Sequence, residues 1–130
     1  MNLSATSPET KLLHLGGEHT IGDIARSLSA NGIETQHIAI YKQKLLPLGP
    51  TATDALTGCC IVPVFSPRSA LQLAEKAGGY LGNAHLIALS KAVAAPLSGE
   101  SVAGCIILPA PEANYMRKAV ENLCLSLGLP

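Results

Sequence analysis

Apolar, strand-like runs begin near Leu12, Gln36, Cys60, Ala84 and Gly104, and a helix pattern follows each of them. The near-regular spacing is that of a repeated βα unit, which leaves few folds open. The runs are rich in Ile, Val and Leu and do not alternate strictly with polar residues. Strands of that kind are buried on both faces, which implies a parallel sheet covered by helices. Right-handed crossovers then predict a five-stranded, doubly wound parallel sheet in flavodoxin-like order 2-1-3-4-5, within a three-layer αβα sandwich. At 130 residues the chain suits one such domain. Residues 1–10 read as a disordered lead-in and residues 11–130 as a single α/β domain.

The helix signals are local. Thr20 and Asp23 make a capping box ahead of Ile21, Ile24, Ala25 and Leu28, and Asn31-Gly32 ends that helix. Thr51 to Leu56 supports one turn at most. Ser66-Pro67 opens a clear helix to Ala77, with Ser at the N-cap and Pro at the first helical position, and Gly78-Gly79 stops it. Lys91 to Leu97 is short and cut by Pro96. Pro111 to Leu127 is the longest, with Ala113, Met116, Val120, Leu123 and Leu127 on one stripe and Gly128 as its stop. Ile38 to Pro50 is overlong for a strand and a turn. Punctuated by Pro47 and Pro50, it reads as a connector to another domain or chain.

Composition narrows the function. Hydrophobic content is 48% and charged content only 14%, against a usual charged share of about 25%, so much surface must be buried or covered by another chain. Nine basic residues balance nine acidic ones, and three Tyr, one Phe and no Trp leave little to stack on bases. Nucleic-acid binding is therefore set aside. No apolar run is long enough to span a membrane, and the polar start lacks the apolar core of a signal peptide. A cytoplasmic protein is expected. Cys59, Cys60, Cys105 and Cys124 show no C-x-x-C spacing and read as inert core thiols in a reducing compartment.

In a doubly wound sheet ligands gather beyond the carboxyl ends of the strands. That edge holds Gly16-Gly17, Tyr41, Ser66-Pro67-Arg68-Ser69, Ser90-Lys91-Ala92 and Pro109-Ala110-Pro111. A strand feeding a capped helix presents backbone N–H groups and the positive end of the helix dipole, which suits a carboxylate or phosphate. Each residue also has a plainer reading: Tyr41 as a strand-end tyrosine in water, Ser66 and Ser90 as N-caps, Arg68 and Lys91 as solvated residues of a first turn. His14, His19, His37 and His85 have no metal-ligand spacing. His14 and His19 flank the glycine turn, while His37 and His85 fall in strands and read as packing or surface. Gly16-Gly17 lacks the G-x-G-x-x-G pattern of dinucleotide sites.

Five phrases in order resemble the uroporphyrinogen-III synthase family. They are Leu15-Gly16-Gly17, Gly32-Ile33, Ile40-Tyr41-Lys42-Gln43, Phe65-Ser66-Pro67-Arg68-Ser69 and Leu89-Ser90-Lys91-Ala92-Val93-Ala94-Ala95-Pro96-Leu97. The resemblance covers only the C-terminal half of that family, whose members fold as two similar α/β domains joined by extended connectors, with the active site in the cleft between them. It implies a lyase of tetrapyrrole (porphyrin, heme) biosynthesis. Such an enzyme cyclises hydroxymethylbilane to uroporphyrinogen III, inverting the last pyrrole ring and losing water, without metal or organic cofactor. It further implies Tyr41 as proton donor and Gly16, Gly17, Ser66, Pro67, Arg68, Ser69, Ser90, Lys91 and Ala92 as the substrate-binding set. Ile38–Pro50 falls where the family crosses between domains. A half-length chain would then pair with a missing N-terminal half or form a homodimer by segment exchange. At the second junction Ser90-Lys91-Ala92-Val93 departs from the family's hydroxyl-rich pattern, keeping only Ser90 as a hydroxyl donor. The alternative reading is a non-catalytic half-domain of the same fold, binding an anionic ligand or a partner domain.

Overall fold

The computed structural model of the chain describes residues 10–18 and 22–129. The chain is α/β and divides into two compact units, Met1–Lys44 and Leu45–Pro130. Most of the expected lead-in, together with His19, Thr20 and Ile21, lies outside the described residues.

In the first unit, β1 (Leu12–Gly17) pairs in parallel with β2 (Thr35–Tyr41), and α1 (Ile24–Ala30) connects them. The helix starts later than the expected capping box allows. Gly22 has φ +78°, outside the helical region, and Asp23 is itself the N-cap, its carboxylate accepting from the Arg26 N–H at 2.9 Å. The chain leaves α1 through Gly32, at φ +83°, a left-handed conformation that glycine adopts without a Cβ clash. Leu12, His14, Thr35 and His37 are half-buried, whereas Leu13, Leu15, Ile38 and Ile40 are exposed, Leu15 by 56% and Ile40 by 62%. One face of this two-stranded sheet is covered and the other presents apolar side chains.

The second unit begins with α2 (Pro50–Thr57) and continues through β3 (Cys60–Val64), α3 (Pro67–Ala77) and β4 (Ala84–Ala88). It then runs through α4 (Lys91–Ala94), β5 (Gly104–Ile107) and α5 (Ala113–Leu127). Its sheet is parallel, in order β3-β4-β5. Helices cover both faces. Ala70, Leu73 and Ala77 of α3, Val93 of α4 and Leu56 of α2 pack on the face of Val64, Ala84, Leu86 and Ala88. Met116 of α5, with Val120 and Leu123, packs on the opposite face against Ile61, Ile87 and Leu108. Residues two apart along each strand share a face, so one unbroken apolar run supplies both layers.

The expected single five-stranded sheet is not what forms: the strands make one sheet of two and one of three. Between β2 and β3, residues 42–49 form neither helix nor strand before α2 begins, and no pairing joins the two strands across that connection. Covering of both strand faces, expected throughout, holds for the central strand β4 of the second unit and not in β1 and β2, nor in β5, where Ile106 and Ile107 are exposed. Two further differences are local. α2 is a full eight-residue helix rather than one turn, because buried Leu56 and the Asn83 side-chain amide, donating to the Thr57 carbonyl at 3.0 Å, supply what propensity lacks. After α3, Gly78 keeps right-handed helical angles and the chain tightens into a 3₁₀ segment, Gly78–Asn83, instead of stopping. At the end of α5 Gly128 does turn left-handed, at φ +66°, and its N–H reaches the carbonyls of Cys124 and Leu125.

Among the described residues no helix is long and apolar enough to cross a membrane. The four cysteines are free and none is fully buried; Cys59 and Cys105 are exposed, which corrects their reading as core thiols. Cys60, the first residue of edge strand β3, has its thiol pushed up by burial and by the neighbouring Cys59.

Candidate functional site

The first group of site residues lies at the carboxyl ends of β1 and β2. Gly17 stands in register with Tyr41 after a shift between Gly16 and Gly17, and the Glu18 N–H continues the ladder to the Tyr41 carbonyl at 2.9 Å. The Tyr41 ring lies against Gly17. A Cβ at position 17 would stand 2.7 Å from Tyr41 Cε2, 3.0 Å from Cζ and 3.2 Å from the hydroxyl oxygen. The second glycine thus leaves room for the close approach of an aromatic ring, at a site where the sequence suggests only an anion-binding turn. Tyr41 is 55% exposed, so its ring is seated on one side and open on the other. Lys42 and Glu18 bridge the strand ends at 3.3 Å in solvent, where such a pair contributes little stability.

Behind this edge the same register sets His14 opposite His37. Their Nδ1 atoms are 3.1 Å apart, and His37 Nε2 lies 3.2 Å from the Gly17 carbonyl oxygen. Spacing rules miss this pair because strand register creates it. Each histidine is the third residue of its strand, and that matching phase is the one signal that could have found it.

The second group lies at the carboxyl ends of β3 and β4. Val64 and Ala88 are partners in register, and the Leu89 N–H donates to the Val64 carbonyl at 3.0 Å. Two residues further on, Ser66 and Ser90 start their helices side by side. Ser66 Oγ accepts from the Ser69 N–H at 3.1 Å and meets Ser69 Oγ at 3.0 Å; Pro67 fills the first helical position. Ser90 Oγ accepts from the Val93 N–H at 3.3 Å, capping the single turn of α4. Both serines therefore spend their hydroxyl oxygens as caps, and what faces outward is the positive end of the α3 dipole. Arg68 is half-buried and engaged in an interaction of its own, while Lys91 and Ala92 are exposed. An apolar hollow of about 230 Å³ opens beside Ser69, under Phe65 and Leu73. Its rim is held by Gln72, whose amide donates to the Leu46 carbonyl. The third expected edge, Pro109-Ala110-Pro111, leads into α5, whose N-cap Glu112 makes no side-chain cap bond.

The sequence-derived set thus falls into two groups: Gly16, Gly17 and Tyr41 in the first unit, and Ser66 to Ser69 with Ser90 to Ala92 in the second. Among the described residues no three His, Cys, Asp or Glu side chains converge as metal ligands.

Comparison with known proteins bears on these groups. The sequence model of a family described as uroporphyrinogen-III synthase HemD matches residues 2–116. The fold is similar to the crystal structure of uroporphyrinogen-III synthetase from Helicobacter pylori 26695, with a TM-score of 0.69 at 18% identity. That similarity covers 88% of this chain and 54% of the other, so the chain spans about half the length of that protein. No curated protein matches the chain by sequence.

Proposed function

The chain belongs to the uroporphyrinogen-III synthase family, and from that premise we propose that it carries part of the machinery that cyclises hydroxymethylbilane to uroporphyrinogen III. The reaction inverts the last pyrrole ring, closes the macrocycle and releases the hydroxymethyl oxygen as water. The observation that carries the proposal is the family match over residues 2–116, which includes both groups of site residues.

In this reading the chain's own residues do two things. Tyr41 donates the proton that lets the hydroxymethyl oxygen leave as water; a phenol is a weak acid, and the reaction asks for one proton at one atom. Its seat on Gly17 supports the role, because a ring fixed from one side and open on the other can meet a substrate without first being ordered. The α3 N-terminus, with Ser66, Pro67, Arg68 and Ser69, binds substrate carboxylates through the helix dipole, and Ser90, Lys91 and Ala92 extend that edge. Gly16 and Gly17 complete the substrate-binding set. No metal or organic cofactor enters the reaction as the family performs it.

Within residues 38–50, the stretch between the end of β2 and the start of α2 serves in this reading as an interdomain connector, supported by the unit boundary at Lys44 and Leu45. The exposed apolar face of Leu13, Leu15, Ile38 and Ile40 supports a further segment covering the first unit, supplied by the remainder of a family-length protein. That segment completes the cleft in which the tetrapyrrole is held.

The test is to supply freshly generated hydroxymethylbilane and measure uroporphyrinogen III against the spontaneously formed I isomer. An excess of III, lost in Tyr41→Phe, is the expected result. Formation of the I isomer alone, by this chain and by its assembly with the complementary half, would overturn the proposal. If the chain alone suffices, sedimentation that shows a dimer would identify a second copy as the source of the covering segment.

A further inference from the structure

The histidine pair of the first unit is not used by the proposed cyclisation, and its geometry has a chemistry of its own. The Gly17 carbonyl can only accept, so His37 carries a hydrogen on Nε2, and in its neutral form the ring presents Nδ1 as a lone pair. The 3.1 Å contact then requires His14 to donate from its own Nδ1. One proton stands between two imidazole nitrogens, each of which is a metal ligand once that proton is gone.

We infer that His14 and His37 form a two-histidine chelate for a borderline divalent cation of the class of Zn²⁺, Co²⁺ and Ni²⁺, the ion replacing the shared proton. Three observations carry this. First, with metal–nitrogen distances of about 2.0–2.1 Å, nitrogens 3.1 Å apart subtend an angle of about 95–102° at the ion. That lies between the cis angle of about 90° in octahedral or tetragonal sites and the tetrahedral angle of about 109°. To aim at the ion each lone pair turns roughly 40° off the nitrogen–nitrogen line, a motion within the broad χ2 range of histidine. The rings already stand tilted at 54° with centroids 4.9 Å apart.

Second, metal-bound histidines donate their other ring N–H to a carboxylate, carbonyl or water, which fixes tautomer and orientation. In the metal-free geometry His37 Nε2 has such a partner in the Gly17 carbonyl, 3.2 Å away, a partner it needs to keep or regain after the turn. Third, the rings rest on bare backbone: a Cβ on Gly16 would stand 3.3 Å from His37 Cε1 and 3.5 Å from His14 Nε2. The strand pairing holds both ligands before any ion arrives, because β1 and β2 are bonded on either side of this register position. On binding, the proton leaves His14 Nδ1 and is carried on Nε2 of the same ring, so both imidazoles stay neutral. The ion's other positions are filled by water. Nothing in this depends on the cyclisation.

The experiment is a Co²⁺ titration of the whole chain, followed by the imidazole NMR signals of its four histidines and by absorption. Paramagnetic broadening of the His14 and His37 signals ahead of those of His19 and His85, with no thiolate-to-cobalt charge-transfer band, is expected. His14→Gln and His37→Gln should each weaken binding at least about tenfold, the lower bound for losing even an outer-shell partner, whereas His85→Gln should leave it unchanged. The inference is overturned if one equivalent of Co²⁺ leaves both signals sharp, or broadens His19 or His85 equally. It is also overturned if a thiolate band develops while the His14 and His37 signals persist. The wild-type titration decides the matter even if a variant fails to fold.

Discussion

Gly17→Ala tests the most constrained contact in the first unit. The added Cβ would stand 2.7 Å from Tyr41 Cε2, and carbon atoms settle at about 3.5 Å or more, so roughly 0.8 Å must be found. Over-packing a core costs about 1–3 kcal/mol, but Tyr41 is 55% exposed and can swing outward rather than force the backbone apart. The expected loss is therefore about 1 kcal/mol, at the lower end of that range. Urea unfolding of four proteins measures it: wild type, Gly17→Ala, Tyr41→Ala and the double variant. If the ring is the obstacle, most of the alanine's cost disappears in the Tyr41→Ala background, giving a coupling of about 0.5–1 kcal/mol in the cycle. An undiminished cost there would show that the backbone at position 17, rather than the tyrosine, rejects the side chain. On the role proposed above for Tyr41 as proton donor, the same variant should lose turnover out of proportion to stability, because displacing a catalytic group by about 1 Å can cost about a hundredfold.

Ser66→Ala removes the acceptor for the Ser69 N–H and should lower stability by about 1 kcal/mol in thermal unfolding, with Ser66→Asp retaining most of it. Met116→Ala empties a position only 6% exposed between α5 and the sheet, and a loss of about 2–4 kcal/mol is expected by denaturant unfolding. Cys59 should alkylate faster than Cys60 at mildly basic pH by peptide mass mapping, because Cys59 is exposed while burial and the Cys59 charge raise the Cys60 thiol. The gap should narrow as pH rises through the Cys60 pKa. For stability the sign is the same: the folded state holds that proton more tightly than the unfolded chain, so Cys60 contributes a loss of stability as pH climbs past the ordinary thiol range.

Much of the architecture was legible in the residues because its causes are local. Each strand lies in a largely apolar run, and Ser66-Pro67 and Gly128 mark helix ends by chemistry within a turn of themselves, so all five strands and the α5 stripe stand close to where periodicity puts them. The family resemblance was readable for the same reason, since its five phrases are contiguous stretches. Where the cause lies far along the chain, local reading failed. α2 owes its length to Leu56 and to an amide twenty-six residues away. The start of α1 was misplaced by a capping pattern that Gly22 overrides.

By itself, then, the sequence determined the kind of elements, most of their ends and the family, because the hydrogen bonds of a helix and the apolar run of a strand are made by neighbours. Only the tertiary structure decided which strands pair, and it divided them two and three, because pairing joins residues far apart in the chain that no local pattern specifies. Pairing in turn set His14 against His37 and laid Tyr41 on Gly17. Those contacts join residues more than twenty positions apart, and no periodicity within either strand encodes the register that makes them.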